Sequence, residues 1–169
     1  MSQTSLKTAQ LGVGLPEIMV AMLLLGVAVI GFAGLQVRAL NTTNSAMYRT
    51  QGASIAQELG ERMRMNPAGR ATYAGAWNLT AVSADKCVVD TCTPVQMAQY
   101  DIRTMSELAA ATLPNGQVAV RQCINRTNLC VFVSWNETAT TEGSGPPHCV
   151  LSTDAYVPDA DCIKLGAAL

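Results

Sequence analysis

Histidine is almost missing, with His148 alone among 169 residues. Catalysis by paired histidines is thereby excluded, as are zinc sites that need more than one imidazole. No CxxC pair occurs either, so the usual thiolate framework for zinc is absent and no metal or cofactor is expected. Charge is scarce: charged residues reach 14%, against roughly 25% in ordinary soluble domains. Lys and Arg number 11 against 12 Asp and Glu, a net charge of −1 that argues against direct nucleic-acid binding. The sequence contains no GxSxG, no HExxH, no Walker-type loop and no GxGxxG opening a helix. Nothing in it points to an enzyme.

Apolar residues are plentiful at 49%, and they are concentrated. From Ile18 to Val37, 20 consecutive residues carry no charge. A helix of that length spans about 30 Å, the thickness of a bilayer's hydrocarbon core. All six cysteines follow this run: Cys87, Cys92, Cys123, Cys130, Cys149 and Cys162. An even cysteine number beyond a membrane span fits an oxidising compartment such as a bacterial periplasm. Six cysteines allow about fifteen pairings, and spacing alone does not choose among them. Neighbours are the cheapest to close: Cys87 with Cys92, Cys123 with Cys130, Cys149 with Cys162.

Beyond Val37 the helical pattern continues with polar residues interleaved. Val37, Leu40, Met47, Ile55, Leu59 and Met63 recur mostly at helical spacing, while Arg38, Arg49, Glu58, Glu61, Arg62 and Arg64 largely face away. This stripe reads as packing against a head domain, and the charges as a solvated face. Asn66 and Pro67 end the helix, because proline cannot continue its hydrogen-bond ladder. A continuous rod from Val13 to Met65 is about 80 Å long. In the remainder, residues 117–122 and 131–136 read as antiparallel strands joined through a turn at 125–128. A weaker strand candidate covers 149–152, and a short helix runs from Ser106 to Thr112. The expected fold class is α+β: a long N-terminal helix, membrane-spanning in its first half and amphipathic in its second, packed on a small antiparallel sheet.

The junction before the apolar run carries the functional information. A secretory signal is cut after its apolar stretch, whereas the junction-like residues Leu11, Gly12, Val13, Gly14, Leu15, Pro16 and Glu17 precede it here. A carboxylate at the mouth of a membrane helix is costly and a functional suspect by default. Gly12 followed by an apolar residue, with Glu17 five residues after the glycine and a long apolar run beyond, resembles the type IV prepilin signal. The resemblance implies a cut between Gly12 and Val13 by a prepilin peptidase, and N-methylation of Val13. It implies an assembly role for Glu17, whose carboxylate meets the terminal amine of a neighbouring subunit. Two buried charges that cost several kcal/mol singly cost much less as a pair. Val13 stands where such families usually have Phe, and Pro16 where an aliphatic residue is usual. Pro16 lies among the first four residues of the processed helix, whose N–H groups have no internal partner, so it forfeits no hydrogen bond.

Residues 31–36 and 56–67, above all the segment Glu61-Arg62-Met63-Arg64-Met65-Asn66-Pro67, resemble the type IV pilus modification protein (PilV) family of minor pilins. That resemblance implies a pilin-like division: leader 1–12, transmembrane and assembly half 13–37, amphipathic half 38–66, and a periplasmic, disulfide-containing head 67–169. It implies a protein of the bacterial inner membrane, single-pass with its head in the periplasm, that later enters a pilus fibre. Its partners would be the prepilin peptidase, other minor pilins, the major pilin and a pilus-tip adhesin. Its task would be initiation of fibres that serve adhesion, twitching motility or DNA uptake. A minor pseudopilin of type II secretion shares the span and the Glu, and a membrane-anchored periplasmic binding protein shares only the anchor. From residue 137 onward five acids face one base, Lys164, which suggests an acidic face for a partner. Asp159 and Asp161 lack the repeated oxygen ligands of a calcium loop and read as a solvated loop.

Overall fold

The computed structural model describes residue 12 and residues 14–74, 86–124 and 126–167. Leader residues 1–11, Val13 of the junction and Asn125 of the expected turn lie outside the described residues. The chain divides into two compact units, Met1–Asn44 and Ser45–Leu169, each taken by itself below. Helix α1 runs Leu15–Met65. In the first unit every helical residue is exposed, including Val37 and Leu40. By length and composition α1 is the one helix among the described residues able to cross a membrane.

In the second unit α1 becomes a packing element. Gly52, Ile55, Ala56, Leu59, Gly60 and Met63 are buried at spacings of three and four, one stripe of an amphipathic helix. The stripe therefore starts later than the sequence suggests, since Val37, Leu40 and Met47 are exposed. Periodicity marks an apolar face but not whether anything covers it. After Asn66 the chain tightens into a 3₁₀ turn, Pro67–Gly69, and the short helix α2, Arg70–Tyr73. Helix α3, Lys86–Val89, opens one residue before the loop closed by Cys87–Cys92 and runs into it.

Helix α4 occupies Pro94–Thr112, well beyond the expected Ser106–Thr112. Its start is capped: Thr93 accepts from the Gln96 N–H at 3.3 Å, and the Gln96 side chain accepts from the Thr93 N–H at 3.0 Å. This reciprocal box, with Pro94 in the first turn where no N–H is needed, sets the start. Pro114 forces Leu113 into extended backbone and ends the helix.

The main sheet has strand order β1-β2-β5, from Gln117–Gln122, Leu129–Ser134 and Cys162–Ala167, all neighbours antiparallel. Central strand β2 is buried at all six positions, so both faces of the sheet are covered. Leu129, Val131 and Val133 meet Ile55, Leu59 and Met63 of α1 and Ile102, Met105 and Ala109 of α4 in one core. On the other face, Cys130 and Phe132 join Cys123, Cys149, Val150 and Cys162. The 149–152 candidate becomes β4, His148–Val150, and pairs in parallel with β3, Ala139–Glu142, in a separate two-stranded sheet. The architecture is α+β, a long helix packed on a small antiparallel sheet.

Candidate functional site

The Glu17 N–H donates to the Gly14 carbonyl at 3.0 Å and the Ile18 N–H to the same carbonyl at 3.3 Å, so Pro16 sits in the first turn without breaking it. Glu17 is the acid of that turn, where the positive end of the helix dipole favours a carboxylate. Its side chain is exposed, and from Leu15 to Asn44 it stands at the head of a surface that nothing in its own unit covers. Soluble monomers rarely expose a continuous apolar surface of this size, which calls for lipid or other helices.

The charged helix end is more than a solvated face. Arg62 donates to Glu58 at 2.6 Å and to Asp101 of α4 at 3.0 Å. Asp101 is buried and also accepts from the Tyr73 hydroxyl at 2.5 Å. Burial works against the Arg62 charge, but the hydrogen bonds to Glu58 and Asp101 outweigh it and raise its pKa. Burial, then the bond to Asp101, pushes the Tyr73 phenol well above its usual range, against an opposing contact from Asn66. The Asn66 side-chain amide donates to the Pro94 carbonyl at 2.8 Å. Arg62 thus fastens α1 to α4, contrary to its expected outward placement. Asp101 and Tyr73, both missed in the sequence, are its reason. A cavity of about 480 Å³ beside them is lined by Glu58, Glu61, Arg62, Met65, Asn66, Met97 and Asp101.

The six cysteines form three disulfides, Cys87–Cys92, Cys123–Cys130 and Cys149–Cys162, each joining neighbours in the sequence. The second closes the neck of the β1–β2 hairpin, and the third joins β4 to β5. The five acids of the C-terminal region stand in three different surroundings. Glu137, Asp159 and Asp161 line a concavity of about 600 Å³ with Pro146, Pro147 and Pro158. Asp154 instead pairs with Lys164 at 2.7 Å, and Glu142 lines a different depression beside Arg126. His148 Nδ1 lies 2.7 Å from the Thr141 hydroxyl. Among the described residues no group of three or more His, Cys, Asp or Glu is placed to hold a metal.

The chain thus combines an exposed apolar helical stretch that has one acid in its first turn with an α+β head closed by three disulfides. Residues 34–103 match the Tt1218-like family, described as type IV pilin Tt1218. The match takes in α1 from Gly34, the Asn66 and Pro67 stop, the Cys87–Cys92 loop and the first half of α4. It supports a type IV pilin, a structural and non-enzymatic kind of protein that assembles with other pilins. The apolar helix is consistent with membrane anchoring and with a place in a pilus fibre. No curated protein and no solved structure matches the chain.

Proposed function

We propose that the chain is a minor pilin of the type IV pilus, of the PilV kind, made as a prepilin. The leader 1–12 is removed between Gly12 and Val13 by the prepilin peptidase, and the new Val13 amine is methylated. Residues 13–37 then hold the protein in the bacterial inner membrane, 38–66 carry the amphipathic half of the helix, and 67–169 form the periplasmic head. On assembly the Glu17 carboxylate pairs with the Val13 amine of a neighbouring subunit, and the protein joins other minor pilins in a complex that primes the fibre.

The observation that carries this reading is Glu17. It is the single charged residue from Gly12 to Val37, in the first turn of a helix whose next 20 residues are uncharged and exposed. In hydrocarbon such an acid costs about 2.5–3.5 kcal/mol at mid-helix, and a paired ammonium removes most of that cost. Only one stagger between neighbouring helices satisfies both charges, which gives the acid a task in setting register.

Mass spectrometry of the chain isolated from a piliated host that expresses the peptidase tests the reading. The expected N-terminus is methylated Val13. A chain that keeps Met1 overturns the proposal and leaves a simple membrane anchor.

A further inference from the structure

Strand β5 is an outer strand of the main sheet, so one side of its backbone faces away from β2. Such an edge is a template for pairing with another strand. The Lys164 N–H does not go to β2: it donates to the Tyr156 hydroxyl at 3.0 Å, and that hydroxyl lies 3.4 Å from the Lys164 carbonyl oxygen. By strand alternation the outward positions of β5 are Cys162, Lys164 and Gly166. Cys162 is buried and bonded to Cys149, and Gly166 is exposed. Any incoming strand that needs two consecutive outward positions must use Lys164, the one covered by the phenol.

The cover is fastened at both ends. Lys164 Nζ reaches the Asp154 carboxylate at 2.7 Å and the Asp154 carbonyl at 2.9 Å, and lies 5.8 Å from the centre of the Tyr156 ring. The backbone around Tyr156 is pinned on the other side, since Leu151 N–H donates to Ala155 at 2.8 Å and Val157 N–H to Cys149 at 3.1 Å. Residues 154–156 thus form a strap inside the loop closed by Cys149–Cys162.

We propose that Tyr156 is an edge guard, holding β5 closed against the β5 of a second copy of this chain. The second copy is the fitting occupant because two antiparallel β5 strands pair isologously, each offering the same three outward positions. The inference stands on the head alone and does not depend on the pilus reading.

The test uses the full chain in detergent micelles. Residue-resolved hydrogen exchange should show the Lys164 amide protected in the wild type and exchanging about tenfold faster in Tyr156→Phe, as loss of one hydrogen bond implies. Unchanged amides at Val131 and Val133 of β2 verify that the variant is folded. Sedimentation of Tyr156→Ala should show head-linked dimers beyond the wild-type state. Adding Gly166→Pro, which removes an outward N–H, should return the wild-type state. Unchanged Lys164 exchange in Tyr156→Phe overturns the proposal. So does a Tyr156→Ala variant that sediments like wild type, or extra dimers that survive Gly166→Pro.

Discussion

One helix serves two environments here, and its glycines show the difference. A Cβ built on Gly26, Gly31 or Gly34 meets nothing within 4 Å, whereas one built on Gly52 comes within 3.0 Å of the Trp135 ring and 3.6 Å of Ile163. In the first stretch the missing side chain leaves a smooth apolar surface. In the second it lets the helix backbone approach the indole. The same residue type, in the same secondary structure, is a surface feature in one place and a packing requirement in the other. Helical propensity therefore says little about which half is which; burial decides it.

The contrast is most strongly broken at Trp135, which is fully buried among α1, α4 and β2 residues. Trp135→Ala should destabilise the head by about 3–5 kcal/mol, read by chemical unfolding in detergent, with the proposed membrane anchoring through the first half of α1 unchanged. Next comes the α1–α4 tie. Asp101→Ala removes the buried acceptor that Arg62 and Tyr73 share and should cost about 2–3 kcal/mol, less than breaking a fully buried pair because Arg62 keeps Glu58 and some solvent. The same cluster sets a pH dependence. The Tyr73 pKa is raised on folding, so its contribution is complete below the unfolded phenol value of about 10 and declines as pH rises beyond it. A stability titration from pH 9 upward should therefore fall more steeply in the wild type than in Tyr73→Phe.

Smaller effects sharpen the comparison. Gly52→Ala should lower head stability by about 1–2 kcal/mol through crowding of Trp135, with Gly31→Ala leaving the unfolding midpoint of the head unmoved. If both variants behave alike, the two-environment account of α1 fails. The smallest change belongs to Glu58→Gln, whose bond to Arg62 is an exposed pair one turn apart worth about 0.2–0.5 kcal/mol.

The α+β class, the long helix, its stop at Asn66 and Pro67, and the β1–β2 hairpin are all legible because each rests on local signals: apolar period, proline, alternation. Helix α4 is legible only in part. Thr93, Pro94 and Gln96 spell its start, and Ala98, Ile102, Met105 and Ala109 give its buried stripe, but Asp101 interrupts the apolar face. That acid is tolerated because Arg62 and Tyr73, 39 and 28 residues away, come to meet it. No local pattern announces such a meeting. The parallel pairing of β3 with β4 and the return of β5 beside β2 are likewise non-local. At the candidate assembly site, Glu17 stands out in the sequence because it is the only charge between Gly12 and Val37. Its proposed partner belongs to another subunit, so a single chain places the acid without the amine.

The disulfides carry one more consequence. If the head reaches the periplasm as proposed, cysteines 87 and 92, then 123 and 130, then 149 and 162, emerge in bonding order as the chain following the N-terminal helix is exported. An oxidant that simply couples each emerging thiol to the next one yields the native set with no later shuffling. The head should mature in a strain that lacks a disulfide isomerase yet retains its thiol oxidase.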